Sequence, residues 1–136
     1  MDVCRILSDC RDFKLIVCGG YYSPDENSFY GQFTIDMLSR IQADSFFLFP
    51  SAISLRYGIR AYFEELYQVQ LAMLGCSDSV YVLGDSSKFE KTALLKLDDM
   101  TPKYTYVTDS ALRPELKQLY RENNLRVITS KEDLFI

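Results

Sequence analysis

Unbroken runs of apolar, β-prone residues recur along the chain, and segments with helical spacing separate them. The runs predict strands at Phe13–Cys18, Ser45–Phe49, Val80–Gly84, Tyr104–Thr108 and Leu125–Ile128. Because apolar residues do not alternate with polar ones inside these runs, both faces of each strand are expected to be covered. Strands of this kind are typical of a parallel sheet.

Four segments carry apolar residues at the spacing of one helix face. They predict helices over Val3–Cys10, from Gly31 to just before Asp44, at about Ala61–Leu74, and from Pro114 to about Asn123. Proline suits a first helical turn because the N–H that it lacks has no acceptor within the helix there. The alternation of strands and helices predicts an α/β fold, with a mostly parallel sheet and helices on both faces.

The remaining segments are polar or contain glycine and proline. They predict a loop at Tyr21–Tyr30, a connection at Ser51–Arg60 and a tail or final turn at Lys131–Ile136. The segment Phe89–Pro102 is irregular, with a short edge strand expected near Ala93–Leu97 and a helical turn at Asp98–Met100.

The composition is that of an ordinary globular domain. A chain of 136 residues is long enough for one core and short for two, so residues 1–136 are predicted to form a single domain. Apolar residues make up 48% of the chain and charged residues 25%, which argues against a disordered protein. The net charge is −4 and no run of lysine or arginine occurs, so direct contact with nucleic acid is not expected.

The cysteine and histidine content excludes several kinds of site. The four cysteines form no Cys-x-x-Cys pair and the chain has no histidine, so neither a metal site nor a cofactor is expected. The Ser-His-Asp and Cys-His catalytic arrangements are excluded for the same reason. Cys18 and Cys76 are predicted to be small buried hydrophobes.

The chain lacks the sequence signals of membrane insertion and export. No apolar segment is long enough to span a bilayer, and the N-terminus lacks the layout of a signal peptide. The scattered cysteines favour a reducing compartment. We therefore expect a cytoplasmic protein with no membrane partner.

A polar cluster follows the apolar run Val80–Gly84. Ligands of open parallel sheets collect beyond the carboxyl ends of the strands, where Asp85, Ser87 and Lys88 are expected to stand. The same residue types are typical of a solvated turn, in which Asp85 caps the next segment and Lys88 points to water. The pattern alone leaves both interpretations open.

Two glycines, Gly19 and Gly20, follow the apolar run Phe13–Cys18. Glycines at a strand exit allow backbone amides to face an anion. A tight turn needs glycine as well, because glycine adopts backbone angles that other residues avoid. The pair therefore indicates either an anion site or a turn.

Short motifs follow one another along the chain in a fixed order. They are Gly19-Gly20, Gly31, Ala43-Asp44, Ser51-Ala52-Ile53-Ser54, Gly58-Ile59, a helix ending at Met73, Asp85-Ser86-Ser87-Lys88-Phe89, and Val107-Thr108-Asp109. This order resembles the C-terminal sensor domain of the DeoR family of bacterial transcriptional regulators, over almost the whole chain. The most specific part is Asp85-Ser86-Ser87-Lys88-Phe89, where the family typically has Ala-Asp-Ser-Ser-Lys-Phe.

This resemblance implies a fold related to ribose-5-phosphate isomerase and glucosamine-6-phosphate deaminase. It implies a sensor that binds a phosphorylated sugar or similar metabolite, forms homo-oligomers, and contacts DNA only through a separate N-terminal helix-turn-helix domain. Carried across residue by residue, it places the effector pocket at Gly19, Gly20, Ser51, Ala52, Gly58, Arg60, Asp85, Ser87 and Lys88.

The chain also departs from the family pattern. The helix-turn-helix domain and the first sensor strand with its Gly-Thr-Thr loop are missing, so the domain is expected to be truncated at its N-terminus. The family usually has glycine at Ala52 and Glu90, and threonine at Arg60, which is either a substitute phosphate ligand or a surface arginine. It has acids where this chain has Leu66 and Gln68, and without those carboxylates no catalytic residue and no turnover are expected.

Three hypotheses remain at this point. The leading one is the effector-binding and oligomerisation domain of a DeoR-type regulator of sugar metabolism. The second is a degenerate interaction module that has lost its ligand. The third is a small sugar-phosphate enzyme of the isomerase or deaminase type.

Overall fold

A parallel sheet of four strands lies at the centre of the chain, of which the computed structural model describes residues 2–131 and 133. Its strands are β3 (Ala43–Leu48), β6 (Ser77–Leu83), β8 (Tyr104–Val107) and β9 (Arg126–Ile128), side by side in that order. All three pairings are parallel. The parallel sheet expected from the unbroken apolar runs is therefore confirmed, and four of the five predicted strands belong to it.

Two smaller antiparallel sheets occupy segments that the sequence pattern predicts as loops. β1 (Tyr21–Ser23) pairs with β2 (Ser28–Tyr30), and β4 (Ala52–Ser54) pairs with β5 (Gly58–Ala61), which pairs with β7 (Leu95–Asp98). The predictions of a loop at 21–30 and a plain connection at 51–60 are wrong, because strands of three or four residues are too short to show a period. The edge strand expected near Ala93–Leu97 forms two residues later, and its pairing up to Asp98 takes the place of the predicted helical turn.

Four helices flank the sheets: α1 (Asp2–Leu7), α2 (Gln32–Leu38), α3 (Glu64–Gly75) and α4 (Pro114–Glu122). Each overlaps a predicted helix, although α1 ends before Cys10, α2 ends at Leu38 rather than just before Asp44, and α3 begins three residues after Ala61. Pro114 begins α4, as predicted. Within the described residues, none of these helices has the length and apolar character needed to cross a membrane. The predicted tail at Lys131–Ile136 lies mostly outside the described residues.

The core joins the parallel sheet to the hairpin of β4 and β5. Leu48, Val82 and Tyr106 from three neighbouring strands of the sheet are fully buried, as are Ile53 and Ile59 of the hairpin. Ile53 forms an isolated parallel bridge with Phe89, in the segment that follows β6. The hairpin is therefore fixed to the carboxyl end of the central sheet.

The strand predicted at Phe13–Cys18 does not form. Residues 13–18 have no regular secondary structure, and Ile16 is 60% exposed. A strand needs a neighbour to accept and donate its backbone hydrogen bonds, and within the described residues no strand pairs with this segment. Cys18 and Cys76 are only partly buried rather than core residues, and burial raises the pKa of the Cys18 thiol.

Candidate functional site

Three loops meet at the carboxyl edge of the parallel sheet, since the carboxyl ends of parallel strands share one edge. They follow β3, β6 and β8 and comprise residues 49–51, 84–88 and 108–111; we call them the strand-end loops. Two hydrogen bonds join them: the Lys88 ammonium donates to the Pro50 carbonyl at 3.1 Å, and the Ser86 N–H donates to an Asp109 carboxylate oxygen at 2.8 Å. This is the edge at which open parallel sheets bind ligands.

Asp85 caps a short 3-10 turn formed by Ser86–Lys88. Its carboxylate accepts the Ser87 N–H at 2.9 Å and also the Ser87 hydroxyl proton. These hydrogen bonds lower the pKa of Asp85, because they favour the charged carboxylate. The side chain is exposed and remains an anion at neutral pH, so it can also accept hydroxyl hydrogen bonds from a ligand.

Lys88 lies beside Gly84 and points back across the edge toward β3. An ammonium has three donors, and within the described residues Lys88 gives a hydrogen bond to one acceptor, the Pro50 carbonyl. A Cβ at Gly84 would come within 3.3 Å of the Lys88 side chain, so glycine leaves room for the lysine stem at this position. The ammonium therefore keeps donors for a ligand at the strand-end loops.

Asp109 is a third charged residue at this edge. Its carboxylate accepts the N–H groups of Ser86 and Ala111, both at 2.8 Å, and these bonds lower its pKa. The adjacent Thr108 hydroxyl oxygen is buried and has no hydrogen-bond partner within the described residues. The sequence motif Val107-Thr108-Asp109 contains this pair, although neither residue is among the predicted effector contacts.

Ser51 and Ala52 lie at the start of the hairpin, next to the strand-end loops. The Ser51 hydroxyl accepts the Tyr62 N–H at 3.2 Å, and the Ser51 N–H donates to the Arg60 carbonyl at 2.9 Å. Ala52 is almost fully buried, so its side chain offers no surface to a ligand. Of these two residues, only Ser51 has a polar side-chain atom beside the sheet edge.

Arg60 uses its guanidinium to hold three backbone carbonyls. Its Nε donates to Tyr57 at 2.7 Å, and one terminal nitrogen donates to Ala93 and Leu94 at 3.1 and 3.2 Å. These bonds connect the hairpin to the segment before β7. The guanidinium that the sequence predicts for the effector pocket therefore forms intramolecular hydrogen bonds in this structure.

Replacing Arg60 by methionine is expected to lower the free energy of unfolding by about 2 kcal/mol, because the three carbonyls lose a charged donor. Urea unfolding measures the loss. Arg56→Met is the matched control, since the Arg56 side chain lies over the Tyr57 ring, a contact worth less at an exposed site. Equal loss in both variants would contradict a specific role for the Arg60 hydrogen bonds.

The three glycines predicted for the effector pocket make their contacts away from the strand-end loops. The Gly19 carbonyl accepts the Thr34 hydroxyl proton at 2.7 Å, and Gly20 packs against the Tyr30 carbonyl. Gly58 pairs with Ser54 and lies against the backbone of β7. Gly20 and Gly58 therefore have a structural reason to be glycine, whereas a Cβ at Gly19 would meet open space. The effector role of all three stays a prediction.

A cleft of about 280 Å³ opens between the loops that follow β6 and β8. It is lined by Ser86, Ser87, Phe89, Lys91, Ala111, Leu112, Arg113 and Leu116. Two cations and two hydroxyl groups face a partly apolar floor, which suits an anionic group attached to a small polar molecule. Sequence reasoning found Ser87 and missed Lys91 and Arg113, because these residues come together only through the pairing of β6 with β8.

Comparison with known proteins agrees with this architecture. The family described as "DeoR C terminal sensor domain" matches residues 1–110. The chain is similar to the L-fucose operon activator of Haemophilus influenzae, with 30% identity over 115 residues that make up 85% of this chain and 46% of that protein. It is also similar to the HTH-type transcriptional regulator IolR of Bacillus subtilis, with 24% identity over 127 residues, 93% of this chain and 51% of that protein. The chain therefore spans about half the length of the curated relatives that it matches.

Proposed function

The chain belongs to the DeoR C-terminal sensor domain family, and from this premise we propose that it is the effector-binding and oligomerisation domain of a transcriptional regulator of sugar metabolism. The effector in this proposal is a phosphorylated sugar or a similar small metabolite. The main support for this proposal is the position of Asp85, Ser87 and Lys88. Their loop contacts the loops after β3 and β8 at the carboxyl edge of a parallel sheet.

The charges at this edge fit the two halves of a sugar phosphate. The hydroxyls of Ser86 and Ser87 and the cations Lys91 and Arg113 line one cleft, where charge-assisted hydrogen bonds favour a phosphate. The carboxylates of Asp85 and Asp109 stay ionised and can accept the hydroxyl protons of a sugar ring.

The proposed pocket keeps every residue that the resemblance assigns to it. Ser87 lines the cleft, Asp85 and Lys88 flank it in the same loop, and Ser51 marks its border with the hairpin. The remaining positions are predictions that rest on the resemblance alone, and they are Gly19, Gly20, Ala52, Gly58 and Arg60.

We propose that the chain does not catalyse a reaction. The curated relatives named above are transcriptional regulators, and the helix positions that resemble catalytic acids carry Leu66 and Gln68. An alanine or amide at Asp85 would then alter binding without altering any turnover. Isomerisation or deamination of a sugar phosphate by the wild-type chain, lost in Asp85→Asn, would replace this proposal with the enzyme hypothesis.

The proposal also includes the location, the oligomeric state and the DNA contact of the whole regulator. We place the protein in the cytoplasm, as a homo-oligomer, with DNA contacted by a helix-turn-helix domain that residues 2–131 and 133 do not contain. Binding of the effector then changes the affinity of that separate domain for its operator.

Sugar phosphates are expected to raise the melting temperature of the chain, because a ligand that binds only the folded state stabilises it by about 2.7 kcal/mol at a hundredfold excess over Kd. Differential scanning fluorimetry with a panel of hexose, pentose and inositol phosphates measures the shift. The shift is expected to disappear in Lys88→Ala and in Asp85→Asn.

Lys103→Ala is the control for loss of one exposed cation, since Lys103 lies in the turn before β8 and away from the cleft residues. It is expected to keep the full shift. If no sugar phosphate stabilises the wild-type chain, the effector proposal fails and the degenerate interaction module takes its place. If unphosphorylated sugars stabilise it equally, the phosphate part of the proposal is wrong.

A further inference from the structure

A residue with unusual backbone angles lies in the wall of the cleft between the loops after β6 and β8. Glu90 has φ of +54°, and it stands between two residues that line this cleft, Phe89 and Lys91. A positive φ is unfavourable for residues other than glycine, and it persists where the surrounding structure fixes it. The contacts of Glu90 therefore indicate what this conformation achieves.

The Glu90 carboxylate is held from two sides. One oxygen accepts the Tyr120 hydroxyl proton of α4 at 2.6 Å and the Leu55 N–H of the hairpin turn at 3.4 Å, and the other accepts the Ser54 hydroxyl proton at 3.3 Å. Tyr120 is fully buried and Ser54 almost so, so neither donor can follow the carboxylate if the loop moves. Although Glu90 as a whole is exposed, its carboxylate is therefore fixed to the core.

The residue before Glu90 is fixed by the same elements. The Phe89 ring packs against the Tyr120 ring with 5.9 Å between their centroids, and the Phe89 backbone forms a bridge with Ile53 of the hairpin. Phe89 is buried and contributes to the floor of the cleft. Because α4 and the hairpin hold two consecutive residues, the chain leaves Glu90 toward Lys91 in one direction.

Lys91 depends on this backbone for its position. Within the part of the chain that the structure describes, its ammonium forms no hydrogen bond and no ion pair, so no side-chain partner directs it. The second cation of the cleft, Arg113, immediately precedes α4, the helix that carries Tyr120. Burial and the Glu90 hydrogen bond raise the pKa of Tyr120, and the positive charge of Arg113 is close enough to oppose this shift. Glu90 therefore connects the loop that carries one cation to the helix that begins beside the other.

We propose that Glu90 is a positioning residue of the effector site. Its carboxylate, bonded to Tyr120 and to the hairpin, holds Lys91 at a fixed distance from Arg113, so that the cleft presents two cations together to one anionic group. A cation that is already in place binds more tightly, because less side-chain and loop freedom is lost on binding. This inference rests on the proposed function, since it names the residue that orders the phosphate subsite.

The order of the loop in the free protein is the direct test. Without any ligand, the heteronuclear NOE of the Lys91 amide is expected to be as high as that of the β6 amides in the wild type. Glu90→Gly removes the carboxylate and suits the positive φ, so the fold is expected to persist while Lys91 becomes flexible. Glu90→Gln is expected to keep Lys91 rigid, because its amide can still bond to the same three partners.

Binding of inorganic phosphate is the second test. The shifts of the Lys91 and Arg113 amide signals during a titration give Kd, which is expected to be about fivefold weaker in Glu90→Gly than in the wild type. In Glu90→Gln, phosphate is expected to bind no more weakly than in the wild type, since the position is kept and a negative charge is lost. Asn124→Gly is the control for glycine at a positive φ, because Asn124 has φ of +59° and lies exposed beyond α4. It is expected to change neither measurement.

A Lys91 amide that is equally rigid in the wild type and in Glu90→Gly, or flexible in both, would overturn the proposal. If phosphate binds to the wild-type cleft and its Kd is the same in Glu90→Gly, the positioning role alone is wrong and the proposed function stands. If phosphate does not bind to the wild-type cleft, the phosphate subsite of the proposed function fails, and the positioning role fails with it. Weaker binding in Glu90→Gln with Lys91 still rigid also contradicts the proposal, since position would then not govern affinity.

Discussion

Gly58→Ala is expected to destabilise the fold by about 3 kcal/mol, among the largest effects of a single substitution in this chain. Gly58 has φ of +76°, a conformation that side chains rarely adopt. A Cβ at this position would overlap the Asp98 carbonyl oxygen and lie 3.2 Å from its carbon. Those atoms belong to the backbone of β7, which pairs with β5, so neither strand can move away without losing the pairing.

Urea unfolding of the two alanine variants Gly58→Ala and Gly75→Ala separates strain from a general effect of removing glycine. Gly75 ends α3 and has free space where a Cβ would lie, so alanine there is expected to be neutral or slightly stabilising. If Gly58→Ala unfolds at the same urea concentration as the wild type, the strand contact is not a constraint. That result would favour the predicted effector role of Gly58 over the structural one.

Alkaline pH is expected to unfold the protein through three tyrosines, because burial raises the pKa of Tyr104, Tyr106 and Tyr120 and the Tyr104 hydroxyl also donates to the Asp98 carboxylate. Tyr106 and Tyr120 are fully buried, and burial raises the pKa of each phenol well above its ordinary value. The Tyr120 hydroxyl also donates to the Glu90 carboxylate at 2.6 Å, which further disfavours a negative charge on the phenol. The unfolded chain releases these protons from about pH 10, whereas the folded chain keeps them.

The contribution of these neutral phenols to the free energy of unfolding is therefore fully present below about pH 10. It is lost as the pH rises above this value, by about 1.4 kcal/mol per pH unit for each tyrosine. Three tyrosines together lose about 4 kcal/mol per pH unit, a large part of a typical stability of about 5–15 kcal/mol. Urea unfolding over a series of alkaline pH values measures this slope.

Tyr106→Phe is expected to reduce the slope by about a third, whatever its effect on stability at neutral pH, because one of the three groups no longer titrates. Tyr21→Phe is the control, since Tyr21 lies exposed in β1. The same slope in wild type and Tyr106→Phe would show that the buried phenols do not cause alkaline unfolding.

Glu90 shows how a departure from the family pattern is accommodated. The resemblance predicts glycine at this position, and the backbone has the positive φ of +54° that glycine favours. The Glu90 carboxylate accepts from the Tyr120 hydroxyl, and from Ser54 and the Leu55 N–H at 3.3 and 3.4 Å. These contacts connect the segment after β6 to the hairpin and to α4, which offsets the cost of the backbone conformation.

The pattern of apolar and polar residues was sufficient to predict the longer strands and helices, because these elements contain enough residues to show a period. Four apolar runs are strands of the parallel sheet, four helical spacings are helices, and the polar cluster at Asp85–Lys88 lies at the end of a buried strand. The resemblance to the DeoR sensor domain is confirmed by the family match. The strands, the helices and the polar cluster each depend on residues that are close together in the sequence, and the resemblance depends on the order of short motifs along it. Both can be read without knowing which segments pair.

Tertiary structure decided which apolar segments pair and which polar groups meet. Phe13–Cys18 is as apolar as β6, yet only β6 has neighbours on both sides, because apolar character predicts burial and does not supply a hydrogen-bonding partner. The cleft beside Lys91 and Arg113 likewise exists only because β6 and β8 lie side by side. Periodicity is a local property of a chain, whereas the pairing of strands and the clefts between their loops depend on segments far apart in sequence.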